Sequence, residues 1–290
     1  MATYNRSNIV GYSIATVLNQ TFQNWELIVV GDYCTDDTEK VVRGFNDPRI
    51  HFFNLPTNFG EQSGPNNEGL KKARGTYLAF LNQDDLWFNN HLETLLERLK
   101  ANDADLVFAA GIVDHGNERY DVVGLFPQTG YHPDYNFVPA SNWLFKKELL
   151  DEIGYWRPAR EIYLIPSHDW QTRVYHAGKK ISTTTQLTVL ALPSSSRKKA
   201  YSERSFTENK FYFEQLSSPN FRTQLLTGII FQFGQVYYHD ENIYLVRFFK
   251  RKIKKLLTAL GFNTTLHIYR FRFGKGGVLK KYRHVRGLDN

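Results

Sequence analysis

The sequence predicts an α/β fold: a mostly parallel sheet flanked by helices, followed by a helical, basic C-terminal appendage. Three observations lead there. Strand-like and helix-like stretches alternate from residue 6 to about 110. The apolar run Tyr77-Leu-Ala-Phe80 leads into a pair of adjacent carboxylates, Asp84 and Asp85. The charge balance then reverses near residue 195. Strands that alternate with helices of about ten to fifteen residues form βαβ units and a parallel sheet.

The elements follow in order. Arg6–Gln20 has helical spacing, with Ile9, Ile14, Val17 and Leu18 apolar. Glu26–Val30 reads as a short buried strand, Thr38–Phe45 as a helix and Ile50–Asn54 as a strand. Ser63–Ala73 is helical and stops before Gly75. Thr76–Leu81, His91–Lys100 and Asp105–Ala109 continue the alternation as strand, helix and strand. Beyond 110 the rhythm loosens, with short strands near 120–126 and 137–145, helices near 146–153 and 168–177, and an extended stretch over 180–192. Pro193-Ser-Ser-Ser196 and Arg197-Lys-Lys199 mark a boundary loop. The domains are therefore drawn as 1–195, with halves at about 1–110 and 111–195, and 196–290.

Composition narrows the function. A chain of 290 residues with 42% hydrophobic residues can bury a full core. No apolar stretch reaches the roughly 18 residues of a membrane-spanning helix. With Cys34 as the single cysteine, no intrachain disulfide forms. The net charge of +7 hides a division: residues 1–195 hold 17 Lys+Arg against 23 Asp+Glu, while residues 196–290 hold 19 against 6. A basic tail on an acidic body predicts an anionic partner for the tail.

In an open α/β sheet, ligands bind at the carboxyl ends of strands. Asp84 and Asp85 stand at such an end and can seat a divalent cation with the diphosphate it neutralises. The alternative is that one of them caps the helix starting near Asn89. Asp169 can cap the helix beside it, and its i,i+4 spacing to Arg173 also allows a plain helical ion pair.

Several motifs in order then carry a resemblance. Thr3-Tyr-Asn-Arg6, Asn19-Gln-Thr-Phe-Gln-Asn-Trp-Glu-Leu-Ile-Val-Val30, Thr35-Asp-Asp-Thr38 and Ala79-Phe-Leu-Asn-Gln-Asp-Asp85 resemble family 2 glycosyltransferases. The likeness is continuous over roughly 2–90 and weaker to about 192. It implies a GT-A fold with a Rossmann-like nucleotide half and an acceptor half. It implies sugar transfer from a nucleotide-sugar donor, with inversion and with Mn²⁺ or Mg²⁺. By the same resemblance Thr3 and Asp32 meet the nucleobase, Asp84 and Asp85 meet the ribose and the metal-bound diphosphate, with the metal held by Asp85 and Asp84 beside it, and Asn67 lies near the donor with Asn58 and Gly60. Asp169, in Ser167-His-Asp-Trp170, takes the catalytic-base position, and Arg173 matches the arginine of the same helix. A saccharide or lipid-linked acceptor, and work at the cytoplasmic face of a membrane in cell-surface polysaccharide or glycolipid synthesis, complete what it implies.

The chain departs from the family pattern in four places. Gly31 and Asn82 stand where Asp is frequent, and Asn66 stands where Arg is common, which leaves the base unassigned. The apolar strand that precedes Thr3 in the family is nearly absent, so Met1 is expected to be an internal methionine of a longer chain. Asn82, Gly31 and the short N-terminus leave an alternative reading, a non-catalytic nucleotide-sugar-binding or scaffold protein; the intact Asp84, Asp85 and Asp169 count against it, and the expectation is a metal-dependent glycosyltransferase. A nucleotidyltransferase would need a Gly-rich, basic triphosphate loop near the N-terminus, which the sequence lacks.

In the tail, Leu245, Phe249, Ile253, Leu256 and Leu260 recur at helical spacing, with Arg247, Lys250, Arg251, Lys254 and Lys255 around them. Such a helix lies in an anionic membrane interface or packs its apolar side on the body. The cluster Lys280-Lys281-Tyr-Arg283-His-Val-Arg286 is read with it as membrane-directed. No nucleic-acid-binding module is recognisable.

Overall fold

A computed structural model describes every residue except 117–118, 127–129, 195–198, 202–207, 240, 263 and 289–290, and omits the side chains of 235–247, 251 and 264. Part of the expected boundary loop, and the side chains of Leu245, Arg247 and Arg251, thus lie outside the described residues. Two sheets form the body. The first is parallel, in the order β1 (Ala2–Thr3), β2 (Leu27–Gly31), β3 (Ile50–Asn54). Helices α1 (Val10–Leu18), α2 (Thr38–Arg43) and α3 (Ser63–Lys72) alternate with these strands. All five residues of β2 are buried, as expected for a strand covered on both faces.

The second sheet contains β4 (Tyr77–Ala79), β5 (Leu86–Trp87), β6 (Leu106–Asp114), β7 (Tyr120–Val123), β8 (Trp143–Lys146) and β9 (Ile181–Ala191). Its order is β4-β8-β6-β9-β5, with β7 also on β6. The β6–β9 pair is parallel and the other pairs are antiparallel. All nine residues of β6 are buried, so it is the spine of this sheet. Helix α4 (His91–Ala101) packs beside it through buried Leu92, Leu95 and Leu99, which recur at three- and four-residue intervals. Helices α5 (Leu149–Ile153) and α6 (Pro166–His176) flank the sheet's other half. Trp143 and Trp170 stack there at 5.6 Å, fully buried.

The two-residue β1 pairs with β2 alone among the described residues. Beneath it, between β2 and β4, lies a cleft of about 790 Å³ bordered by Trp25, Ile28, Leu78, Phe80 and Leu96. The Met1 amino group donates to the Ile28 carbonyl at 2.8 Å, and burial lowers its pKa to about 5.

Five more helices follow: α7 (Glu208–Gln215), α8 (Phe221–His239), α9 (Glu241–Ala259), α10 (Thr264–Arg272) and α11 (Gly277–Arg286). They divide between two environments. Tyr212 of α7 and Phe221 and Ile229 of α8 join the cluster around Leu86, Phe88 and Leu190. On α9, by contrast, Phe249, Ile253 and Leu256 are exposed, as is Leu260 just beyond it. Lys254 turns inward instead, 5.5 Å from the Tyr135 ring, with its pKa lowered by burial. Of the two expected arrangements of this helix, packing of the described apolar residues on the body is not the one found.

His91, at the start of α4, is fully buried and stacks on Trp87 at 4.2 Å. Its Nδ1 lies 2.8 Å from Thr188 Oγ1, while Nε2 has no partner among the described residues. Burial lowers its pKa to about 3 from 6.5. Between those values the unfolded chain binds the extra proton, so stability falls as pH drops through that window, by up to about 1.4 kcal/mol per pH unit. Urea midpoints across this range are expected to show that slope in the wild type and to lose it in His91→Gln.

Candidate functional site

The loop Leu81–Asp85 leaves β4 and turns into β5, and two side chains fix its course. Asp85 is buried; its Oδ2 accepts from Ser141 Oγ at 2.5 Å and Asn82 Nδ2 at 2.8 Å, and its Oδ1 from Leu192 N at 2.9 Å. Burial and the neighbouring Asp84 carboxylate push its pKa up to about 7. Gln83 Oε1 accepts from Thr3 Oγ1 and Tyr4 N, at 2.8 and 2.9 Å, and its Nε2 donates to Tyr201 Oη at 2.5 Å. Thr3 is thereby locked to the loop across the sheet.

Asp84 differs from its neighbour. Its Oδ2 accepts from the Ser194 amide at 3.1 Å and from the Ser194 hydroxyl. Its Oδ1 accepts no protein hydrogen bond among the described residues. Both Asp85 oxygens serve protein donors, so Asp84 Oδ1 is the oxygen of the pair with no protein donor, and among the described residues no group of three or more His, Cys, Asp or Glu side chains is placed to hold a metal.

Asp32 follows β2. Its carboxylate accepts from the Phe59 and Gly60 amides at 2.6 and 2.9 Å, and Asn58 Nδ2 donates to its carbonyl at 2.9 Å. Burial raises its pKa even against those two amides. Gly60 takes a φ of +83°, a turn conformation suited to glycine. Gly31 has a steric explanation: a Cβ there would stand 2.5 Å from Asn54 Oδ1. Asn54 uses that oxygen to accept from Cys34 N and its Nδ2 to donate to Cys34 O, fixing the loop that carries Asp32.

Thr3, Asp32, Asp84 and Asp85 border one cavity of about 180 Å³, together with Glu61, Gln83, Tyr201, Arg283 and Arg286. Small-molecule sites usually enclose roughly 300–1,000 Å³, so this cavity is at the small end. Helix α11 covers it. Gly276 N donates to Ile162 O at 3.0 Å, Arg283 Nη1 donates to Gly60 O, and the amides of Lys199 and Tyr201 donate to Val285 O and Arg286 O at 2.8 and 3.2 Å. Behind it, fully buried Arg6 donates to Ala200 O at 2.7 Å and lies 3.8 Å from the Tyr201 ring.

Three expected site residues lie outside this lining. Asn67 is engaged with the Trp156 backbone, donating through Nδ2 at 2.8 Å and accepting through Oδ1 at 3.0 Å. Asp169 sits in the first turn of α6, whose N-cap is Ile165, so it is not the cap. Arg173 Nε donates to Asp169 Oδ2 at 2.9 Å, and its Nη2 donates to Tyr155 O at 2.8 Å. Arg173 thus ties α6 to the segment after α5, and the helical ion pair is formed. Glu61, Gln83, Tyr201 and the two arginines of α11 escaped the sequence reading. The Arg283/Arg286 cluster was visible as charge, but its position over the cavity comes from packing between chain segments more than 200 residues apart.

The cavity, bordered by acidic loops at strand ends, lies where open α/β sheets bind their ligands. Residues 1–154 match the model of glycosyl transferase family 2, and the chain belongs to that family. It is 34% identical over 126 residues to the Escherichia coli UDP-Glc:alpha-D-GlcNAc-diphosphoundecaprenol beta-1,3-glucosyltransferase WfgD, covering 43% of this chain and 48% of that one. It is 35% identical over 111 residues to the poly(ribitol-phosphate) beta-N-acetylglucosaminyltransferase TarP of Staphylococcus aureus, 37% of this chain and 34% of that one. The chain spans about half or less of the curated relatives it matches. The fold matches S. aureus TarS 1-349 solved with UDP-GlcNAc, with TM-score 0.58 at 16% identity, over 99% of this chain and 88% of that one.

Proposed function

We propose that the chain is a metal-dependent glycosyltransferase that moves a sugar from a nucleotide-sugar donor to an acceptor hydroxyl, in cell-surface polysaccharide or glycolipid synthesis. The observation that carries the reading is the convergence of Thr3, Asp32, Asp84 and Asp85 on one cavity at strand ends. Family membership and the named activities of the relatives support it.

In this reading Asp32 and Thr3 receive the nucleoside, and Asp84, with Asp85 beside it, would hold Mn²⁺ or Mg²⁺. A bound divalent cation offsets the charge that gathers on the leaving diphosphate. Asp85 fixes the loop and, through its burial, the direction in which Asp84 can reach. Asp169 accepts the acceptor's proton, with Arg173 holding its carboxylate in one rotamer. Asn67 acts indirectly, by placing the Trp156 segment.

The test separates donor binding from chemistry. A thermal-shift panel of nucleoside diphosphates with Mn²⁺ is expected to show stabilisation by at least one of them, lost in Asp84→Asn. Asp169→Asn should retain that stabilisation and lose about 10²–10⁴-fold in transfer rate, the usual worth of a positioned acid or base. If Asp169 were an ion-pair partner alone, the variant would change stability by about 0.3–0.5 kcal/mol and leave the rate intact.

The proposal extends to an anionic membrane surface. No described helix is long and apolar enough to cross a membrane. Yet Ile230 and Phe231 of α8, Phe249, Ile253 and Leu256 of α9, and Phe271 of α10 are exposed, Phe271 to 96%. Exposed Lys250, Lys252 and Lys255 stand among them. Apolar residues beside lysines suit a headgroup interface, and the lipid-linked substrate in WfgD's name accords with such a position. Co-sedimentation with phosphatidylglycerol vesicles should exceed that with phosphatidylcholine vesicles. Phe249→Glu with Ile253→Glu should lower it about tenfold, with the melting temperature unchanged.

A further inference from the structure

The donor cavity is acidic beyond what its proposed ligand would tolerate alone. Asp32, Glu61, Asp84 and Asp85 line it, and the nucleoside diphosphate of the reading above is itself an anion. Among the described lining residues the cations are Arg283 and Arg286, both on α11. Arg283 has a partner already: it donates to Gly60 O, and its charge acts on Asp32. Arg286 does not. Its Nε is buried with no hydrogen-bond partner, and its guanidinium makes no hydrogen bond or ion pair among the described residues. A buried, unspent donor is costly unless a ligand satisfies it.

The backbone around Arg286 is fixed while its head is not. Its carbonyl accepts from Tyr201 N, Tyr201 Oη accepts from Gln83, and Gln83 precedes Asp84. Arg286 is therefore registered to the loop that carries the acidic pair by two successive hydrogen bonds. A planar guanidinium held in that register, with its fork of donors open, matches phosphate oxygens.

We propose that Arg286, with Arg283 beside it, binds the diphosphate of the donor, so that α11 completes the donor site. This rests on the nucleotide-sugar reading of the same cavity. It gives the basic C-terminal segment a role in recognition that membrane docking does not provide. It also predicts what the site measures: the phosphates more than the nucleoside.

Isothermal titration of the full chain tests this. UDP, GDP, ADP, CDP and dTDP are each titrated in Mn²⁺ and in EDTA, and the tightest is compared with its own monophosphate and nucleoside. Arg286→Ala is expected to weaken the diphosphate at least about tenfold, with the nucleoside changed less than about twofold, as for loss of a charge-assisted hydrogen bond. Arg286→Lys should recover part of the loss, because it restores the charge without the fork. Arg286→Gln, which keeps side-chain length, serves if the alanine variant fails to fold. Equal weakening of nucleoside and diphosphate would show a packing role and overturn the inference, as would unchanged binding, while the nucleotide-sugar reading stood. Absence of binding by any diphosphate to the folded wild type would overturn that reading and this inference together.

Discussion

The buried carboxylate of Asp85 is the constraint on which the rest of the site depends. It accepts from Asn82 on its own loop, from Ser141 ahead of β8 and from Leu192 after β9. Three chain segments far apart in sequence are thereby brought to one point. Hydrogen bonds to charged groups contribute about 1.5–3 kcal/mol each, and losing the acceptor leaves buried donors unmet. The neighbouring position is then determined: with Asp85 turned inward, Asp84 is held at the cavity. Two adjacent acidic residues can look equivalent in a sequence, but here both oxygens of Asp85 accept protein hydrogen bonds while Asp84 uses Oδ2 for Ser194.

The same contact explains a departure from the family pattern. An Asp at position 82 would put a third carboxylate against Asp84 and Asp85. Asn82 donates where Asp could accept alone. Gly31 follows similar logic on β2, since Asn54 occupies the space its side chain would need. Both substitutions are consistent with a site retuned around its hydrogen bonds, and neither removes a group that the structure sets at the cavity.

Much of the fold was legible because local pattern and burial agree. Leu92, Leu95 and Leu99 mark α4, and the apolar run of β2 is buried throughout. Ile50–Asn54 matches residue for residue. The β5 pair was missed because two residues carry no periodicity, and its strand character comes from pairing with Leu190 and Val189. Asp32, Thr3 and the acidic pair were legible through ordered motifs. Asn67, Asp169 and Arg173 were legible as residues, and the Asp169–Arg173 pair was legible from its i,i+4 spacing, but the contacts with Trp156 and Tyr155 were not, since they arise through tertiary packing. Arg286 was legible as a charge and misread in place.

That misplacement follows from averaging. The tail's excess of 19 Lys+Arg over 6 Asp+Glu is one number in the sequence, yet the structure puts those charges in at least three settings. Lys254 lies against Tyr135, where burial lowers its pKa. Lys250, Lys252 and Lys255 are exposed beside apolar residues of α9. Arg283 and Arg286 border the cavity that Asp32, Glu61, Asp84 and Asp85 line. Coulomb energy depends on distance and on the medium between charges, so these groups do different work despite equal formal charge. The surface lysines are screened within about 8–10 Å by salt, which suits reversible attraction to a membrane. The arginines border a partly buried cavity where screening is weaker, which suits the phosphate recognition proposed for them. In the reading proposed above, a single basic tail therefore has two separate roles: the exposed lysines and apolar residues of α8–α10 meet the membrane, and the arginines of α11 meet the ligand.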